Sequence, residues 1–468
     1  MKTKLLFNGF FILLLVSGQL QAQNQLWMLT RDGGANNGGT IIKANSDGSG
    51  ATVAFNFQPP DGYTPYGDLL LASDDNLYGT CFNGGSFGSC TCFRYEPSTG
   101  TYTDVYDFDI AHGDYPRSGM IEGPNGILYG AASGGGIHGG GVIYSYNMAT
   151  GTYTDLVDLE SATGSYPIGS PVLCNGKLYG MTMYGGANSR GVIYRYDIAT
   201  DYYSDVLDFG GPATTTHEGN LMLASNGLLY GMGSGNGLTG DGVLFSFDPV
   251  SKAFVKLHDF NGTDGRSPKG GLIEASNGLL YGMTSAGGIT NNGTIFSFDI
   301  STGVLNSLYS FNGADGREPW GNLKQSGTLL CGTTFSGGAG NLGVIFNYDI
   351  TTGMYTKLLD FNATNGSGPT GGFISYHATG IGQLNNDEAI SIFPNPVSNY
   401  LYITSNVSQT ENATLYLKDL TGKIIHASSC KMHNNQPEKI DLTGYSKGTY
   451  LLEIRSAGGT VVKKIVKI

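Results

Sequence analysis

The chain has 468 residues, carries 25 Lys and Arg against 37 Asp and Glu for a formal charge of −12, and is rich in glycine (75), tyrosine (29) and phenylalanine (22). An acidic body is a poor partner for nucleic acid or an anionic membrane surface. The aromatic content excludes a disordered chain, and six cysteines in this length do not make a disulfide scaffold.

In chain order, residues 1–22 read as an export signal. Lys2 and Lys4 open it, an apolar run from Leu5 to Val16 follows, and Leu20-Gln21-Ala22 resembles a cleavage site before Gln23. No other stretch approaches the ~20 apolar residues that span a bilayer. The mature chain is therefore expected outside the cytoplasm, without a transmembrane segment.

From Gln25 to about Tyr376 one unit of roughly 50 residues recurs seven times. Its anchor is Trp27, Tyr78, Tyr129, Tyr179, Tyr230, Tyr281 and Cys331, mostly within Leu-Tyr-Gly. Twelve residues later stands Gly39, Cys90, Gly141, Gly191, Gly242, Gly293 or Gly343, and thirty-eight later Pro65, Pro116, Pro167, His217, Pro268, Pro319 or Pro369. The copy around Tyr281 shows how each folds. Gly271-Leu272-Ile273-Glu274 is a short strand, Ser276-Asn277-Gly278 a hairpin turn, and Leu279 to Thr284 a second strand. Thr294 to Asp299 alternates apolar and polar residues as a third strand, and a fourth ends near Phe311. Such a four-stranded blade cannot bury both faces alone, whereas a ring of blades can.

The fold class that follows is all-β, a seven-bladed β-propeller over residues 23–378. The first copy begins at its second strand, Leu26-Trp27-Met28, while Gly372-Phe373-Ile374-Ser375 aligns with a first strand that no anchor follows. The C-terminal end of the array is therefore expected to supply the strand missing at its start, which removes two open edges. Residues 379–389 read as a linker, and 390–468 as a small β-sandwich. Charge divides the same way: residues 23–384 hold 14 basic and 30 acidic side chains, net −16, and 385–468 hold 9 and 7, net +2.

Residues repeated in every copy serve the fold, so a site is sought where copies differ. In a four-stranded blade the second-to-third and fourth-to-first connections emerge on one face. The residue after the proline position enters the innermost strand and is expected at the rim of the central channel. These are Tyr66, Arg117, Ile168, Glu218, Lys269, Trp320 and Thr370. Tyr66, Arg117, Glu218, Lys269 and Trp320 are the ligand-binding candidates: aromatics to stack on sugar rings, charges to hold hydroxyls or an acidic group. Cys81, Cys90 and Cys92 share one hairpin, where a disulfide from Cys81 to Cys90 or Cys92 is expected. Asp264 and Asp315 read as side-chain-to-backbone turns, without a full calcium-loop signature. No metal, cofactor or catalytic motif is predicted. Glu122 and Glu274 occupy equivalent innermost-strand positions three blades apart, whereas paired glycosidase carboxylates stand roughly 5–9.5 Å apart.

The repeat resembles kelch propeller units and, more closely, the GloVer tandem-repeat family of exported bacterial proteins. The residues that carry this are Gly278-Leu279-Leu280-Tyr281-Gly282-Met283-Thr284, Gly287-Gly288 and Gly293-Thr294-Ile295-Phe296-Ser297-Phe298-Asp299. In the tail, Pro394-Asn395-Pro396, Asp419 with Gly422-Lys423, Gly448-Thr449-Tyr450 and the basic last strand from Lys463 resemble the type A C-terminal sorting domain of the type IX secretion system. That resemblance implies handling by the type IX machinery through residues 390–468, then release or attachment at the cell surface. The expected function is a secreted binding module for extracellular carbohydrate or protein. Two alternatives stand beside it: an extracellular polysaccharide-acting enzyme with its site at the channel mouth, and a structural surface component without a discrete ligand.

Overall fold

The computed structural model describes residues 25–376 apart from 89, 211–218 and 236, and then 390–393, 397–405, 411–418, 424–432, 438–456 and 459–467. The expected signal, the linker, Glu218 and the Pro394-Asn395-Pro396 run lie outside the described residues. The described residues form two compact units, 25–376 and the C-terminal strands.

The first unit holds seven antiparallel sheets, one per repeat, with strands in sequential order. Sheet 2 is representative: Tyr63–Leu71, Leu77–Asn83, Cys90–Glu96 and Thr101–Phe108. Sheet 4 carries an additional short strand, Ser165–Pro167, beside Lys177–Tyr184. Sheet 1 draws its first strand from the other end of the unit. Ile374–Tyr376 pairs antiparallel with Gln25–Thr30, in the register Trp27 to Ile374, Leu26 to Ser375 and Gln25 to Tyr376. In all seven sheets the ladder between third and fourth strands slips by one residue at the same place, as at Ile295/Phe296 and Ile345/Phe346. A bulge at this point increases local twist.

The anchor motif has a packing cause. A Cβ on Gly79, Gly130, Gly180, Gly231, Gly282 or Gly332 would fall within 3.0 Å of the ring of Phe93, Tyr144, Tyr194, Phe245, Phe296 or Phe346. The glycine of Leu-Tyr-Gly thus seats the third-strand aromatic directly opposite it. In the first copy Met28 faces Ile42 instead, a larger residue against a smaller one.

Apolar cores lie between successive sheets. Tyr78, Cys90, Cys92 and Phe108 meet Met120, Leu128 and Tyr144 between sheets 2 and 3. Cys331, Ile345 and Phe361 of sheet 7 meet Leu26, Met28, Ile42 and Phe373. Each fully buried side chain of this size contributes about 1.5–3 kcal/mol.

The expected disulfide is absent: Cys81, Cys90 and Cys92 are free, buried thiols. Cys81 pairs with Thr91 across the hairpin and shares its face, whereas Cys90 and Cys92 flank Thr91 and point the other way. Burial pushes all three thiols above their ordinary range. Asp264 and Asp315 close turns by accepting the backbone N–H of Asn261 at 3.0 Å and of Asn312 at 2.9 Å.

The second unit has two antiparallel sheets, of three and four strands. Val397, Leu401, Ile403, Leu415, Leu417, Ile440, Leu452, Ile454 and Ile465 form one core.

Candidate binding site

The first strands of the seven sheets converge, and glycine sets how closely. Two residues past the proline position stand Gly67, Ser118, Gly169, Gly219, Gly270, Gly321 and Gly371. A Cβ on Gly169 would fall within 3.0 Å of the Gly219 carbonyl oxygen, and Gly219 relates in this way to Gly270, Gly270 to Gly321, Gly321 to Gly371, and Gly371 to Gly67. On Gly67 it would meet the Ser118 backbone. Backbone therefore touches backbone around a narrow neck.

One residue further, Asp68, Ser170, Asn220 and Asn322 point inward and join different repeats. Asp68 Oδ1 accepts the Gly372 N–H at 2.6 Å, and Asp68 Oδ2 accepts the side-chain amides of Asn322 at 2.6 Å and Asn220 at 3.4 Å. Asn220 Oδ1 in turn accepts the Ser170 N–H at 2.7 Å, Ser170 Oγ the Gly119 N–H at 2.8 Å, and Asn322 Oδ1 the Gly271 N–H. Asp68 thus reaches amides from sheets 5 and 7, and this cluster floors a cavity of about 310 Å³. Although its side chain retains some exposure to the cavity, crowding by protein raises the Asp68 carboxyl above its usual range. The three donated hydrogen bonds oppose that rise without cancelling it.

The cavity wall includes Tyr66, Arg117, Ile168, Lys269, Trp320 and Thr370. These are six of the seven positions that the sequence assigned to the rim; the seventh, Glu218, is outside the described residues. Following the repeats gives the order Arg117, Tyr66, Thr370, Trp320, Lys269, so two cations flank two aromatics with a threonine between them. Trp320 stacks on Phe335 with ring centres 3.8 Å apart. That spacing leaves no room for a cation on the same side, so the Lys269 ammonium, 4.5 Å from the Trp320 ring centre, covers its other face. Arg31 lies 4.7 Å from the Phe335 ring centre and pairs with Asp32 at 2.7 Å. The Arg117 guanidinium lies 5.2 Å from the Phe82 ring centre and 5.9 Å from that of Tyr66. The aromatics therefore hold cations in place, whereas the sequence suggested open stacking platforms.

Thr370 Oγ1 is buried without a hydrogen-bond partner, in a residue that lines the cavity. Beside the wall, the residues before the prolines adopt left-handed backbone: Thr64, Tyr115, Tyr166, Ser267 and Glu318 have φ between 52° and 60°. The Thr64, Tyr166, Ser267 and Glu318 N–H groups donate to the loop carbonyls of Gly38, Gly140, Asp241 and Asn292 at 2.7–3.0 Å, which holds the strained turns.

Glu122 and Glu274 lie elsewhere and are fully engaged. Glu274 accepts the Ser225 N–H at 2.7 Å and its hydroxyl at 2.5 Å; Glu122 does the same for Ser73. No group of three or more metal-ligating side chains occurs among the described residues.

The pattern of the Gloeobacter/Verrucomicrobia repeat matches residues 15–175 and 158–334. The chain belongs to this repeat family. Residues 391–468 match the secretion-system C-terminal sorting domain. That tail marks the repeat protein as secreted through the type IX system and handled at the cell surface; no described helix is long and apolar enough to cross a membrane. No curated protein matches the chain. Among solved structures, a protein assigned as a 6-phosphogluconolactonase from Bacteroides uniformis is 15% identical over 76% of this chain and 100% of that one, with a TM-score of 0.53. A protein assigned the same activity from Bacteroides fragilis is 15% identical over 75% and 98%, with a TM-score of 0.52. The extracellular domain of a protein assigned as a one-component system from B. thetaiotaomicron is 14% identical over 95% of this chain, which spans 57% of that chain, with a TM-score of 0.46. At 15% identity the likeness to the B. uniformis and B. fragilis proteins is one of fold.

Proposed function

We propose that the seven sheets form a closed seven-bladed β-propeller and that this repeat protein is an extracellular binding module taking carbohydrate in its central cup. The observation that carries the reading is the cup itself: variable residues Tyr66, Arg117, Lys269 and Trp320 on its wall, over a floor of Asp68, Asn220 and Asn322. Side chains that differ between otherwise regular repeats gather at one concave site, and polar groups few in number and fixed in place suit recognition of hydroxyl-rich ligands. Pairing of Ile374–Tyr376 with Gln25–Thr30 supports the ring. Secretion supports an extracellular ligand.

A glycan array probed with the purified chain tests this. Retention of defined saccharides, lost on Trp320→Ala and Tyr66→Ala, is the expected result; a blank array with folded protein counts against it. The enzymatic alternative draws its support from Asp68, a carboxyl with raised proton affinity in a cavity. Its oxygens already accept three hydrogen bonds, and it is the one carboxylate among the described lining residues. Hydrolysis by paired carboxylates requires a second. Turnover of polysaccharides that disappears in Asp68→Asn would favour the enzyme.

A further inference from the structure

We propose that the cup takes the acidic residue of a glycan, a pyranose carrying a carboxylate, with that carboxylate on Arg117 and a ring hydroxyl on Thr370. The inference rests on the carbohydrate reading above and narrows its ligand.

Three observations point the same way. First, the described wall carries cations although its surroundings are acidic. Residues 23–384 carry net −16, yet the described side chains of the cavity include Arg117 and Lys269 against Asp68 alone. Cations on the described wall of an acidic body favour an anionic group there. Secondly, Arg117 is exposed and makes no hydrogen bond or ion pair with the described protein groups; Phe82 and Tyr66 position its guanidinium. A planar fork held in this way matches a carboxylate through two parallel N–H donors. Thirdly, the Thr370 hydroxyl is buried beside the same cavity with no partner of its own. A buried hydroxyl without a partner is costly, and rotation of the Thr370 side chain toward the cavity lets a ligand hydroxyl satisfy it. Thr370 sits in the arc between Tyr66 and Trp320, one repeat from Tyr66 and two from Arg117. The cavity volume of about 310 Å³ lies at the small end of ligand pockets, which favours one or two sugar rings over a protein segment.

The test is titration calorimetry on the full chain with galacturonate and trigalacturonate, against galactose and galactotriose as neutral partners of the same ring stereochemistry. Expected is at least about tenfold tighter binding of the acidic member of a pair, the scale of one charge-assisted bidentate contact. Arg117→Gln is expected to weaken the acidic sugars at least about tenfold more than the neutral ones and so remove that preference, and Arg117→Lys to restore part of it. Thr370→Val is expected to weaken acidic and neutral sugars alike. The trisaccharide arm separates a chain-end ligand from a free monosaccharide. Thermal melts of each variant establish that it is folded. Equal binding of acidic and neutral sugars, or a preference that survives Arg117→Gln, overturns this inference and leaves the carbohydrate reading standing. Absence of binding by any of the four sugars overturns both.

Discussion

Asp68 sets the chemistry of the floor, and the sign of its titration is testable. Crowding raises its carboxyl above the ordinary value of 3.8. The native state therefore keeps a proton that the unfolded chain has released, and stability from this group falls as pH rises through the interval above that value. In Asp68→Asn the group no longer titrates. The unfolding free energy of wild type relative to this variant should be greatest near pH 4 and shrink toward pH 8, with denaturant melts as the readout; a difference that grows with pH would mean that the three donated hydrogen bonds outweigh crowding. The neck glycines make a second residue-scale prediction. Gly270→Ala places a methyl within 3.0 Å of the Gly321 carbonyl oxygen. The overpacking should cost about 1–3 kcal/mol, while Gly278→Ala, where a Cβ meets nothing within 4 Å but φ is +79°, should cost about 1 kcal/mol through backbone strain alone.

Legibility at this scale divides by what a repeat can reveal. The wall residues were readable because each directly follows a position that is proline in six of the seven copies. The floor was missed although its signal was present: residues 68, 119, 170, 220, 271, 322 and 372 are all glycine, serine, aspartate or asparagine. Small or amide side chains at seven equivalent places mark a convergence point, but which of them meet across repeats depends on three-dimensional reach. The cysteine hairpin failed for a simpler reason. Alternation places Cys90 and Cys92 together, but Cys81 joins or opposes them according to a register that only the ladder supplies.

At the scale of the strand pair, neighbouring repeats are stapled by their hairpins. The Glu274 carboxylate of sheet 6 caps the Ser225 turn of sheet 5 through two hydrogen bonds, Glu122 of sheet 3 caps Ser73 of sheet 2, and in sheet 7 Gln325 does equivalent work for Ser276. Gln325 shows that the fold needs an acceptor there and not a charge. Glu274→Ala should therefore destabilise by about 1–2 kcal/mol, the scale of lost hydrogen bonds to a charged group, whereas Glu274→Gln should retain most of that stability. Urea unfolding of both variants checks it. The two glutamates are in separate staples, so Glu122→Ala should add independently. A Glu274→Gln loss equal to that of Glu274→Ala would show that charge, not hydrogen bonding, holds the turn.

The whole first unit depends on how its two ends meet. Phe373 packs with Leu26, Met28 and Ile42 of sheet 1 and with Ile345 and Phe361 of sheet 7, while the adjoining residues pair with Gln25–Thr30. Truncating Phe373 to alanine removes a buried ring and should cost about 3–5 kcal/mol. Where that cost is felt distinguishes a ring from a row. In a linear stack each repeat depends on its neighbours alone, so a damaged end frays locally. In a closed ring the same contact braces every sheet, since opening one junction leaves two unpaired edges and releases the convergence of first strands at the neck. Native-state hydrogen exchange reads this directly. Phe373→Ala should lower protection in sheets 3 to 5, far from the substitution, by a similar amount to that in sheets 1 and 7. Loss confined to sheets 1 and 7 would identify an open array, and the Asp68 floor, which draws on sheets 1, 2, 5 and 7 together, would then need another explanation.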